Sequence, residues 1–320
     1  MRRVRKAVLP VAGLGTRMLP AAKATAKNLL NLYDRPILAH VVAEARAAGI
    51  EHLVFVVGRG QGAIEDYFDH AFELEANLAA KGRGELLETV RAELGAPGQM
   101  SFVRQMEPLG LGHAVWCARD IIGDEPFAVI LPDMVMDASP SGLAQLLAAY
   151  EAVGGNLVAV EPAPAGETHK YGIVALGAAA PGFEGRLKAM TGMVEKPPPG
   201  TEPSNLFISG RYILQPAIFD LLAAQETGAG GEIQLTDAMA RLLASEAFHA
   251  LEYAGMTYDC GDKLGLLRAS VAFALKDAEA GAEVRAMLRG LLDDATPRAP
   301  SVTAQDRTAP PPPLRKGGMD

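Results

Sequence analysis

The chain has 320 residues, 49% of them hydrophobic and 21% charged, with a net charge of −8. This length supports a large core, in one big domain or two modest ones. The acidic balance excludes nucleic acid as a bulk partner, because nothing broadly cationic neutralises a phosphate backbone, yet it leaves room for a local basic pocket around one small polyanion.

Ala7 to Ala12 is an uninterrupted apolar run, as in a parallel strand buried on both faces. The basic residues before it resemble the start of a signal peptide, but about six apolar residues before Gly13 fall short of the usual 7–15. A loop follows, "GLGTRMLPAAKATAKNLL", with two glycines, Arg17, Lys23 and Lys27 and no acid. Asp34 reads as a helix cap with Pro36 in the first turn, Ile37, Val41, Val42, Ala45 and Ala48 share a face, and Gly49 is the stop. Residues 53–57 read as a second buried strand, which completes a βαβ unit. Helices are expected over 63–80, 114–122 and 142–153, with a helical insertion over 81–100. Strands are expected over 101–106, 127–131 (ending at Pro132-Asp133) and 157–160. The alternation predicts an α/β fold, Rossmann-like, with a mainly parallel mixed sheet flanked by helices.

Residues 163–213 change texture, with many Gly and Pro and short β-like pieces at 172–176 and 207–209. They predict a smaller α+β section laid over the sheet. Helices are expected again at 218–224, 234–244 and 263–291. From Thr296 the chain is poor in apolar residues and holds four consecutive prolines, so 296–320 reads as a disordered tail. Two cysteines, Cys117 and Cys260, make no disulfide framework and point to a reducing, cytoplasmic compartment. No stretch approaches the ~20 apolar residues that span a bilayer, so no membrane partner is expected.

The glycine loop after the first strand lies where open α/β folds bind ligands. Glycines let backbone N–H groups approach a phosphate, and Arg17 can bridge phosphate oxygens. The dinucleotide pattern Gly-x-Gly-x-x-Gly fails at Met18, and the P-loop pattern is absent. A plain turn with solvated charges is the alternative, and the lack of any acid among the basic residues favours phosphate.

"GLGTRMLP" is followed in order by "RQMEPLGLGHAV" (104–115), "LPD" (131–133), "KYGIV" (170–174), "VEKP" (194–197), "PSNLFISGRYIL" (203–214), "GGEIQLTDA" (230–238) and "YDCGDKLG" (258–265). Over roughly residues 5–275 this series resembles the sugar nucleotidyltransferase family, specifically its bacterial UTP–glucose-1-phosphate uridylyltransferases. The resemblance implies UTP and glucose-1-phosphate as substrates, UDP-glucose as product, Mg²⁺ as cofactor and a homodimer or homotetramer. It implies catalytic roles for Arg17, Lys27, Asp133 and Lys196, and Mg²⁺ binding by Asp133 and Asp259. Substrate contacts are implied for Ala12, Gly13, Gly15, Asn28, Gln105, Gly112, Gly172, Glu195, Asn205 and Gly210, whereas His113 receives no role. It also implies a single domain over 1–295, made of a nucleotide-binding half (5–162), a sugar-binding section (163–262) and C-terminal helices (263–295). The family continues its opening loop as Lys-x-x-Pro-Lys-Glu-x-Leu-Pro. Here Ala26, Asn28 and Asn31 replace the prolines and the glutamate, which removes two φ constraints and one charge. Either a differently tuned enzyme or a weakly active or non-catalytic regulatory paralogue is compatible with that change, as is a pyrophosphorylase for another hexose-1-phosphate. A plain dinucleotide-binding oxidoreductase is disfavoured by the broken glycine pattern.

Overall fold

The computed structural model describes residues 2–293, which fall into two compact units divided between Val271 and Ala272. The tail predicted from Thr296 lies outside the described residues.

In the first unit, β1 (Lys6–Pro10) carries the apolar run, with Ala7, Val8 and Leu9 fully buried. The basic loop then makes three short 3-10 turns, at 16–18, 21–23 and 27–29. Next come β2 (Asn31–Leu32), β3 (Arg35–Pro36) and α1 (Ile37–Ala47). Asp34 is not the cap of α1: the pairing of Leu32 with Arg35 holds it in the hairpin turn beside Tyr33, at φ 62°, and Pro36 takes the cap position. β4 (His52–Val57) is the second buried strand.

The helix expected over 63–80 is broken into α2 (Gly62–Tyr67) and α3 (Phe72–Ala80). Phe68 turns inward onto Phe55, 5.3 Å between ring centroids, and Asp69 accepts the His70 N–H at 2.7 Å. α4 (Gly84–Ala92) lies in the insertion, and β5 (Met100–Arg104) follows. The helix expected over 114–122 is α5 (Leu111–Cys117) and α6 (Arg119–Ile122), divided where the Ala118 N–H bonds to Val115 in a tighter three-residue step. β6 (Phe127–Ile130), β7 (Met134–Asp137), α7 (Gly142–Val153) and β8 (Asn156–Pro162) come next. Ser141 caps α7 by accepting the Ala144 N–H at 3.2 Å. The remaining elements are β9 (Gly172–Ala179), β10 (Leu187–Glu195), β11 (Leu206–Leu214), α8 (Ile218–Ala223), α9 (Leu235–Leu242), β12 (Phe248–Glu252), β13 (Met256–Asp259) and α10 (Lys263–Lys276).

Nine strands form one sheet in the order β5-β4-β1-β6-β11-β8-β12-β10-β9. Two expectations are corrected here. The sheet is mixed, as expected, but not mainly parallel: β5-β4-β1-β6 and β8–β12 pair in parallel, whereas β11 runs antiparallel to both β6 and β8, and β10 antiparallel to both β12 and β9. The strands of 163–213 are not laid over the sheet but continue it. The reason is burial: all nine residues of β11 are buried, and a strand apolar on both faces belongs in the middle of a covered sheet. Phe207 of β11 also pairs with Ile173 of β9, so this end of the sheet curls back on itself. No helix of the described residues is long and apolar enough to cross a membrane.

In the second unit the described residues hold the end of α10 and α11 (Gly281–Asp293). The single helix predicted over 263–291 is interrupted because the Asp277 carboxylate accepts the N–H groups of Glu279 and Ala280, at 2.9 and 2.7 Å, and starts a new helix.

Candidate active site

A cavity of about 1430 Å³ opens beyond the ends of β1, β5 and β6. It has room for a nucleoside triphosphate together with a sugar phosphate. Ala12, Gly13, Gly15, Arg17 and Lys27 line it from the basic loop. Gly15 sits in the left-handed region, at φ 64°, and a Cβ there would lie 2.9 Å from Lys27 Cβ. The glycine thus lets the lysine stem lie across the loop. Lys27 Nζ donates to Asp133 Oδ2 at 2.6 Å, with both side chains 18% exposed. Asp133 occupies the sharp step from β6 to β7.

The second carboxylate arrives through β13, which pairs with β7 so that Asp259 stands opposite Met134. The Cys260 N–H donates to the Asp133 carbonyl at 2.7 Å, and the Gly261 N–H donates to Asp259 Oδ1 at 2.8 Å. Arg17 Nη1 lies 3.8 Å from Asp259 Oδ2. These groups converge on one point. A Cβ at Gly261 would lie 2.6 Å from Arg17 Nη2, 2.8 Å from Asp259 Oδ1 and 3.1 Å from Asp133 Oδ2. The two carboxylates differ in environment. Burial works against the Asp133 anion, but the Lys27 ammonium and its hydrogen bond, helped by Arg17, outweigh it and hold this carboxyl below its ordinary value. Burial pushes the Asp259 carboxyl up, and the Asp133 charge adds to that against the Gly261 N–H.

Among the described residues no three His, Cys, Asp or Glu side chains gather around one point. Two carboxylates suffice for Mg²⁺, which keeps several waters and takes substrate phosphate oxygens. Asp133 and Asp259 offer the hard oxygen donors it prefers, and each is destabilised by burial in a way that a cation would relieve. The site fits that ion.

Gln105 follows β5 and is buried against the cavity wall. Its Nε2 donates to the Gly110 carbonyl at 3.1 Å and stands 3.0 Å from His113 Nδ1. Gly172, Glu195 and Lys196 line the cavity from the curled end of the sheet. Gly172 pairs with Glu195 across β9 and β10, and the adjacent Ile173–Phe207 pair carries both toward the end of β8. Thr236 Oγ1 donates to Glu195 Oε2 at 2.7 Å, and Lys196 Nζ lies 3.6 Å from Glu195 Oε1.

Four of the expected contact residues do not line the cavity. Asn28 is fully buried beneath the loop, where Nδ2 donates to the Val11 carbonyl at 3.3 Å and Oδ1 has no hydrogen-bond partner. Gly112 spends its N–H on the Ile233 carbonyl at 2.8 Å and is packed too tightly there for a side chain. Gly210, at φ 83°, lets β11 pass under Met134 and Leu131. Asn205 is exposed and binds the Ala163 N–H through its carbonyl.

Three features escape the sequence reading. Gly261 and Thr236 lie inside quoted motifs but carry no chemical signature of their own. Arg211 does carry one, as a lone charge in the apolar run of β11. It is fully buried, with Nη2 2.6 Å from Glu44 Oε2, while Nη1 donates to the carbonyls of Leu131 and Gly210 at 3.2 and 3.1 Å. The Leu143 N–H donates to Glu44 Oε1 at 3.0 Å. This buried pair clamps the peptide two residues ahead of Asp133.

The family profile described as "Nucleotidyl transferase" matches residues 6–274. The UTP–glucose-1-phosphate uridylyltransferase of Bacillus subtilis (strain 168) is 46% identical over 293 residues, 92% of this chain and 99% of that protein. The structure of "UTP-bound UGPase" from Acinetobacter baumannii superposes with a TM-score of 0.82 at 42% identity, covering 90% of this chain and 99% of that one. A UDP-glucose pyrophosphorylase complexed with UDP-glucose gives 0.76 at 35% identity, covering 86% and 100%.

Proposed function

The chain belongs to the nucleotidyl transferase family and makes UDP-glucose and pyrophosphate from UTP and glucose-1-phosphate; we propose that its cavity does so by in-line attack of the sugar phosphate on the α-phosphorus of UTP. The observation that carries this reading is the convergence of Arg17, Asp133 and Asp259 around Gly261, with Lys27 paired to Asp133.

Little covalent work falls to the protein in such a transfer, which depends on positioning and on offsetting charge. Gln105 and the backbone of Ala12 and Gly13 take the base. The Gly15 turn and Arg17 take the triphosphate. Lys27, paired with Asp133 in the free protein, offsets the charge that develops on the α-phosphate. Glu195, fixed by Thr236, accepts hydroxyl hydrogens of the sugar, Gly172 contacts it through its backbone, and Lys196 pairs with the sugar phosphate. Asp133 and Asp259 would hold Mg²⁺, which when bound offsets phosphate charge and favours the in-line arrangement. The assembly is proposed to be a homodimer or homotetramer in the cytoplasm; the free thiols of Cys117 and Cys260 support a reducing compartment.

A pyrophosphate-release assay with four nucleoside triphosphates against several hexose-1-phosphates tests the reading. UTP with glucose-1-phosphate is expected to be the preferred pair. Intact UTP binding with no turnover would sink the mechanism and favour a regulatory role. Gln105→Ala should weaken the preference for UTP over the other triphosphates; an unchanged preference would remove Gln105 from the base site. Gly261→Ala is expected to lower kcat on the order of 10²-fold while the melting temperature changes little, because the added methyl displaces Arg17 and both carboxylates rather than the core. Wild-type kcat in that variant would show that their convergence does not matter.

A further inference from the structure

We infer that His113 is the positioning residue that sets which atom of Gln105 faces the base, and thereby makes the site read uracil rather than cytosine. This rests on the base-site reading given above and adds a residue to which that reading assigns no role.

The orientation of the Gln105 carboxamide is fixed by its partners. The Gly110 carbonyl only accepts, so the atom 3.1 Å from it is the donor Nε2. That carbonyl is itself held in a braced turn, with the Ile233 N–H donating to Leu109 at 2.7 Å and the Gly112 N–H donating to Ile233 at 2.8 Å. The second Nε2 hydrogen meets His113 Nδ1 at 3.0 Å, which requires that nitrogen to be unprotonated. Burial favours this by lowering the His113 pKa. The ring is held in turn by stacking on Trp116, 5.9 Å between centroids, and Arg119 lies 3.8 Å over that indole. His113 does not line the cavity, whereas Gln105 does.

With both Nε2 hydrogens engaged, Oε1 is what Gln105 has left to offer. An acceptor there matches the N3–H of uracil and opposes the N3 lone pair of cytosine. Removing His113 leaves the Gly110 carbonyl as the one bond holding Nε2 away from the base, so the carboxamide can turn a donor hydrogen toward cytosine N3; discrimination falls while Arg17, Lys27 and the two carboxylates are untouched.

The test is kcat/KM for UTP and for CTP in wild type, His113→Ala and His113→Asn, with a thermal melt of each. His113→Ala is expected to lower the UTP/CTP ratio about tenfold, the worth of one hydrogen bond, through KM rather than through kcat at saturating UTP. The asparagine Oδ1 can accept from Nε2 in place of Nδ1, so His113→Asn should keep most of the preference. An equal loss with both nucleotides, or His113→Asn no better than His113→Ala, overturns the inference. Gln105→Ala separates the two levels. If it loses the UTP preference while His113→Ala keeps it, only the role of His113 falls. If Gln105→Ala leaves the preference unchanged, the base-site reading falls with it.

Discussion

Asp133→Asn is expected to lower turnover on the order of 10³-fold, the scale of losing a preorganised charged group at the reacting centre. Burial works against the Asp133 anion, and the Lys27 ammonium 2.6 Å away, helped by Arg17, holds this carboxyl below its ordinary value; the pair places one acid and one base where β6 hands the chain to β7. Asparagine keeps the shape and an acceptor for Lys27 but removes the charge. A cation would then have Asp259 alone, and Lys27 would face the phosphates without its counter-charge. The fold should hold, because Asp133 contributes through its backbone carbonyl to the Cys260 N–H in either variant. Pyrophosphate release, a thermal melt and UTP calorimetry together check this. Activity within tenfold of wild type would remove Asp133 from the reacting centre.

Arg211→Met should cost about 3–5 kcal/mol of stability, because it leaves the Glu44 carboxylate buried without its counter-charge. For a chain of this size that is a fall of roughly 10 °C in melting temperature. Turnover should fall as well, since the guanidinium holds the Leu131 carbonyl just ahead of Asp133. The double variant Glu44→Leu with Arg211→Met removes both charges and should recover much of the stability. It should not recover the turnover, because the Leu131 and Gly210 carbonyls still lack the guanidinium and keep only the backbone N–H groups of Met134 and Leu131. Thermal denaturation of the two single variants and the double, with kcat for each, decides it. Full stability in Arg211→Met would show that the pair contributes nothing.

The parts of this site that could be read from the sequence lie at strand ends. Ala7–Ala12 and Phe127–Leu131 announce buried strands by composition, which puts the glycine loop and Asp133 at the ligand edge from the sequence alone. The central place of β11 could not, because period and composition say that a strand is buried but not which neighbours it lies between or in which direction it runs. The helix breaks at Phe68 and Asp277 were hidden for a similar reason: each is decided by one side chain finding a local partner, while the apolar period runs on through it. Motif position assigns Gly112, Gly210, Asn28 and Asn205 to the substrate, but it does not say which residues line the cavity and which lie outside that lining, as these four do. His113 carries no signal of its own in the sequence, because it lies off the cavity and touches Gln105 from behind.

The place of β11 in the sheet has a consequence during synthesis. The four strands β5, β4, β1 and β6 are complete once residue 130 has been made, but the open side of β6 has no partner until residues 206–214 emerge. Until then the nascent chain presents an apolar strand edge with unpaired N–H and C=O groups, the form of surface that recruits another strand from a neighbouring chain. Closing it joins segments some eighty residues apart, a long-range contact that folds slowly compared with local ones. The middle of the sheet, and with it the step that carries Asp133, can therefore close only after residue 214 has been made.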